Sequence, residues 1–132
     1  MLEMNVSKYI VRFLGAVGLF LGLTGASMAA GANNMVSYKE DVYPIIQYRC
    51  LGCHKAGGAG EMASGLNMET YEGLMKGTKH GAVIMPHNAL ASTLVRLITG
   101  EAAIRMPHNA KRLSSCEIST WKRWILQGAK DN

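Results

Sequence analysis

Cys50-Leu51-Gly52-Cys53-His54 is the stretch on which the reading of this chain turns. Two thiols three positions apart lie on one face of a helical turn, and an imidazole follows at once. That spacing lets both sulfurs form thioethers to the two vinyl groups of one porphyrin while the adjacent ring swings under the iron, which is the attachment pattern of a covalent c-type haem. A thioredoxin-like dithiol needs a βαβ context, whereas the flanks here read as helical and Gly-rich. A structural zinc site needs two further ligands at regular spacing. Only Cys116 remains, and the chain holds no second C-x-x-C and no H-x-x-x-H.

Working upstream, Ser37-Tyr38-Lys39-Glu40 has the form of a capping box that opens a first helix. Val42, Ile45, Ile46 and Arg49 lead from it into Cys50, and Pro44 is expected to kink or restart the helix because proline has no N–H to donate. Further upstream, Lys8 and Arg12 precede an apolar run from Phe13 to Leu23, and Ser27-Met28-Ala29 supplies small residues. This pattern predicts a secretory signal peptide over residues 1–29, cleaved near Ala29. An uncleaved anchor is the alternative, because the uncharged run from Phe13 to Ala30 approaches the minimum for spanning a bilayer. Residues 30–36 then form a flexible N-terminal segment and residues 37–132 a single small domain, whose core a buried porphyrin would enlarge.

Downstream, the Gly-rich stretch from Lys55 to Ser64 reads as a loop on turn chemistry. A short helix is expected around Glu69 to Lys76, carrying Tyr71, Leu74 and Met75 and stopped by Gly77. Ala89 to Thr99 puts Leu90, Leu94, Leu97 and Ile98 on one face of a core helix that Gly100 ends. Ser114-Ser115-Cys116-Glu117 is a second capping box, and Ile118, Trp121, Trp124, Ile125 and Gly128 form one stripe at a period of 3.6. The first and last helices should pack together beside the haem, with both tryptophans in the core. Cys116 falls off that stripe with Ser119, Arg123 and Gln127, so it should be an exposed thiol, inert or open to an intermolecular disulfide.

The attachment turn fixes one side of the iron. Candidates for the other side are Met106, Met85, His108, His87 and His80, or nothing. Met106 precedes Pro107, which biases it towards an extended backbone from which a thioether could project across the haem. Met85-Pro86-His87-Asn88 repeats the letters of Met106-Pro107-His108-Asn109, so local chemistry does not separate the two methionines. Position favours Met106, since a ligand loop at Met85 would leave Gly100 to Arg112 without a role. A thioether favours ferrous iron, so Met/His ligation gives a higher potential than bis-His, and a filled coordination sphere keeps oxygen and peroxide out.

Fourteen Lys plus Arg stand against nine Asp plus Glu. Removing Lys8, Arg12 and Glu3 with the signal leaves twelve against eight, about +4, and two haem propionates bring this to about +2. Such a balance suits docking to an acidic redox partner, with Lys55, Lys79, Lys111 and Arg112 as candidates for a basic rim around the haem edge. No basic run interleaved with aromatics points to nucleic acid.

With these residues in place, the chain resembles a monohaem c-type cytochrome of the class I kind. It is most similar to exported bacterial cytochrome c modules in the blocks Pro44 to His54, Gly65 to Gly77, Met85 to Leu94, Arg105 to Pro107 and Leu113 to Ala129, which together cover most of the mature chain. The block Met85-Pro86-His87-Asn88-Ala89 departs from the Val-Pro-Gly-x-Pro of that family. The resemblance implies an all-α, cytochrome c-like domain wrapped around one covalent haem c, with Cys50 and Cys53 as thioethers, His54 as proximal and Met106 as distal iron ligand. It implies an electron carrier, not an enzyme, that works in the periplasm between a redox donor and acceptor such as a dehydrogenase or a terminal oxidase, and touches a membrane only if the signal segment is kept. A small-gas sensor or a small haem peroxidase, either with an open sixth site, is the rival reading.

Overall fold

In the structure, a computed structural model that describes residues 35–132, Val36 is already buried and its N–H donates to Gln127 Oε1 at 2.7 Å. The expected signal peptide and residues 30–34 of the N-terminal segment lie outside the described residues. The first helix opens at Ser37, whose Oγ accepts from Glu40 N at 3.2 Å. The reciprocal bond comes from Asp41 Oδ2, which accepts from Ser37 N at 2.8 Å, and not from Glu40. A π-helical turn, Tyr38–Val42, follows and runs into α1 (Tyr43–Arg49). Pro44 lies in the first turn of α1, where a missing N–H costs nothing.

The stretch read as a loop from Lys55 to Ser64 instead contains a helix, α2 (Ala59–Ser64). Its formation is a tertiary effect: Gly60 N and Glu61 N both donate to Cys53 O, at 2.9 and 3.0 Å, so the attachment turn itself caps the helix. Thr70 caps α3 (Tyr71–Lys76), its Oγ1 accepting from Gly73 N at 3.0 Å. The helix expected from Ala89 starts later, as α4 (Thr93–Thr99), and Leu90 is exposed instead of facing the core. Ser92, fully buried, holds the preceding residues in a turn by donating from Oγ to Asn88 O at 2.9 Å and accepting from Met85 N at 2.8 Å. Gly77 and Gly100 end α3 and α4 with φ of 81° and 84°, values a Cβ disfavours. The last helix, α5 (Ser115–Leu126), carries the complete capping box at Ser114 and Glu117.

No strand occurs among the described residues, which carry one isolated bridge between Thr78 and Gly81. The described residues thus form an all-α domain, the fold class expected from the sequence. Its core gathers Val42 and Ile46 from the N-terminal side, Leu74, and Trp121, Trp124 and Ile125 from α5. Tyr38 joins the two ends, its ring 5.5 Å from Trp124 and 5.3 Å from Tyr71 in an edge contact. Asn132 closes the same junction, accepting from Tyr38 N at 2.9 Å and from Lys39 N at 3.0 Å. Among the described residues no helix is long and apolar enough to cross a membrane.

Candidate cofactor site

Helix α1 ends at the attachment turn because Cys50 leaves the helical region, with φ −123° and ψ −42°. Cys53 N and His54 N then both donate to Cys50 O, at 3.1 and 2.9 Å, which folds the pentapeptide back on itself. His54 O accepts from Met68 N at 2.8 Å, so the turn is fastened on both sides. The His54 ring is buried, and its Nδ1 lies 3.1 Å from Leu66 O. A carbonyl can only accept, so in the neutral ring the proton sits on Nδ1 and Nε2 is the nitrogen with a free lone pair, the tautomer in which an imidazole binds a metal.

These residues line a cavity of about 720 Å³, within the range of cofactor pockets. Cys50, Cys53, His54 and Met106 are all among its lining residues. Leu66, Val83, Leu94 and Ile98 supply apolar surface. Of the other sixth-ligand candidates His108 also lines the cavity, whereas Met85, His87 and His80 do not. The repeated Met-Pro-His-Asn segments therefore part company in the fold. The first packs on the end of α5, with His87 N donating to Ile125 O at 2.8 Å, and the second borders the cavity.

All three cysteines are free, and Cys116 is exposed as its helical position predicts. Burial pushes the Cys50 thiol up to about 12, with the Arg49 guanidinium offsetting only part of that effect. Reactive dithiols have depressed thiol values, so a thioredoxin-like role does not suit Cys50. Among the described residues no group of three or more His, Cys, Asp or Glu side chains is placed to hold a metal ion, and a zinc site at Cys50 and Cys53 gains no further ligands.

Three observations fit a haem. Two unpaired thiols and an imidazole line the same cavity. A Cβ on Gly60 would lie 2.8 Å from His54 Cε1 and 3.0 Å from Nε2, so the glycine keeps the space beside the ring clear. Trp121, which lines the cavity, is fully buried, and its Nε1 has no hydrogen-bond partner among the described residues.

A helical domain built around such a turn and cavity is consistent with a cytochrome c-like fold. Residues 50–109 match the family model described as Planctomycete cytochrome C, which supports a cytochrome c-like family and, through it, covalently bound haem c and electron transfer. No curated protein and no solved structure matches the chain.

Reading from sequence missed Arg49 and Gly60 as residues of the site. Gly60 was hidden in a stretch whose glycines all look alike as turn formers. Arg49 carried one usable signal, its place directly before the first attachment cysteine.

Proposed function

We propose that this protein is an exported one-electron carrier with one haem c, attached through Cys50 and Cys53 and ligated by His54 and Met106. The observation that carries this reading is the placement of all four residues around one cavity, with an imidazole whose Nδ1 is already engaged by Leu66 O. The bound haem would supply a ferric/ferrous couple. The chain's own residues then have three tasks. Leu66 orients the proximal ring, and the apolar wall excludes water and so raises the cost of the extra positive charge in the ferric state. Met106 occupies the distal side and shuts out small ligands, which favours a carrier over a gas sensor or a peroxidase. The single C-x-x-C-H supports one haem, and the N-terminal signal pattern supports a periplasmic location. Lys55, Lys79, Lys111 and Arg112, all exposed, suit docking to an acidic redox partner.

Absorption spectra of the haem-loaded Met106→Ala and Met85→Ala variants test the ligand assignment. The Met-to-ferric-iron charge-transfer band should vanish in the first and persist in the second, and only the first should bind carbon monoxide readily when reduced. Loss of the band in Met85→Ala alone would overturn the assignment.

A further inference from the structure

Arg49 directly precedes Cys50 and lines the same cavity, and its side chain reaches the segment that enters α5. Its Nη2 donates to Lys111 O at 2.7 Å and to Arg112 O at 2.6 Å. Its Nε lies 3.4 Å from Glu117 Oε1 in an ion pair without a formed hydrogen bond. Lys111 and Arg112 close the segment that leaves α4 at Gly100, carries Met106 and enters α5. At its near end this segment is held by Glu101 N and Ala102 N donating to Arg96 O, and in the middle by Met106 N donating to Leu97 O at 3.0 Å. From Pro107 to Leu113 it has no helix or strand, and Arg49 gives it two charge-assisted bonds.

One side chain therefore ties the turn that holds the porphyrin to the segment that bears the distal methionine. A guanidinium suits this work because its planar fork can serve two carbonyls and a carboxylate together, which a lysine ammonium does less well. The pair with Glu117 is only partly exposed and adds orientation, since Glu117 is itself fixed by the capping box.

We propose that Arg49 is a positioning residue that latches the Met106 segment shut, so that opening of the sixth coordination position is governed by this latch and not by the overall stability of the domain. The proposal rests on the His/Met reading above. Local opening free energies differ from the global one, and a latch acts on the former.

The test uses the haem-loaded protein and its Arg49→Ala, Arg49→Lys and Val42→Ala variants. Val42 is fully buried but lies off the cavity wall, so its truncation lowers the melting temperature without touching the latch. Carbon monoxide association with the reduced protein and amide hydrogen exchange at Met106 are measured beside the melting temperature. Arg49→Ala should accelerate both about tenfold, the equivalent of about 1.4 kcal/mol. Arg49→Lys should recover part of the loss, and Val42→Ala should leave both rates unchanged while melting lower. Unchanged rates in Arg49→Ala, or equal acceleration in Val42→Ala, would overturn the latch alone. Absence of the Met-to-ferric-iron band from the unaltered protein would overturn the His/Met reading, and the latch with it.

Discussion

Gly60 is a position where ordinary helix reasoning gives the wrong sign. Alanine is favoured over glycine in a helix by about 0.5–1 kcal/mol, and Gly60 is in α2. Its added Cβ would meet His54 Cε1 at 2.8 Å and Cys53 O at 3.1 Å. The ring is buried and bound to Leu66 O, and the carbonyl already accepts two bonds from α2, so neither gives way freely. Overpacking of this kind costs about 1–3 kcal/mol, which outweighs the propensity gain. Gly60→Ala should therefore lower the haem absorbance per polypeptide and the melting temperature, by about 4–8 °C for each kcal/mol in a domain of this size. Ser119→Ala, exposed on α5 and absent from the cavity lining, should leave both unchanged and serves as the control. Equal behaviour of the two variants would show that space beside His54 does not limit haem incorporation.

Among the elements, α5 was legible almost entirely, because its signals are local. Four letters gave the capping box, and the 3.6-residue stripe gave Trp121, Trp124 and Ile125, all buried. Legibility failed where a distant group decides the local backbone. The carbonyl of Cys53 starts α2 inside a Gly-rich stretch, and the hydroxyl of Ser92 delays α4 and leaves Leu90 in solvent. Periodicity carries no trace of either bond. The same helix start gives a pH prediction. Burial acts to raise the Glu117 carboxyl and is the largest single influence, but the Ser114 backbone and hydroxyl bonds, with Arg49 and Lys111, outweigh it and hold the group below its ordinary value. A carboxyl depressed on folding contributes stability above its unfolded value of about 4.3, and this is lost as the pH falls through the folded value. Glu117→Gln, which keeps a capping-box amide, should flatten the decline of melting temperature below about pH 4.3. At pH 7 it should cost less than about 1 kcal/mol, because the pair is partly exposed. An acid limb identical to that of the unaltered protein would remove Glu117 from the account.

At the scale of the whole molecule, four residues named from the sequence line one cavity. Cys50, Cys53 and His54 are adjacent in sequence, so a shared chemistry could be proposed for them directly, and Met106 was proposed from its place before the last helix. Arg49 and Gly60 act through three-dimensional neighbours and could not be read this way. What unites all of them is a domain arranged around a space it does not fill. Its lining is largely apolar, with Leu66, Val83, Leu94 and Ile98 contributing, and such surface is stabilised by removal from water. A bound apolar group would bury that surface, at roughly 25 cal/mol per Å². The porphyrin is thus expected to be a structural part of the core, and the polypeptide without it should collapse around the space. Replacing both attachment residues, Cys50→Ser with Cys53→Ser, should give a chain that retains part of its helical far-ultraviolet signal. It should lose the near-ultraviolet signal of Trp121 and Trp124, bind a hydrophobic dye and melt without a sharp transition, the marks of a compact but unpacked state. The haem-loaded protein should show none of these. A haem-free variant that melted cooperatively with its tryptophan signal intact would mean that the helices pack to native density on their own, and that the porphyrin occupies the fold without completing it.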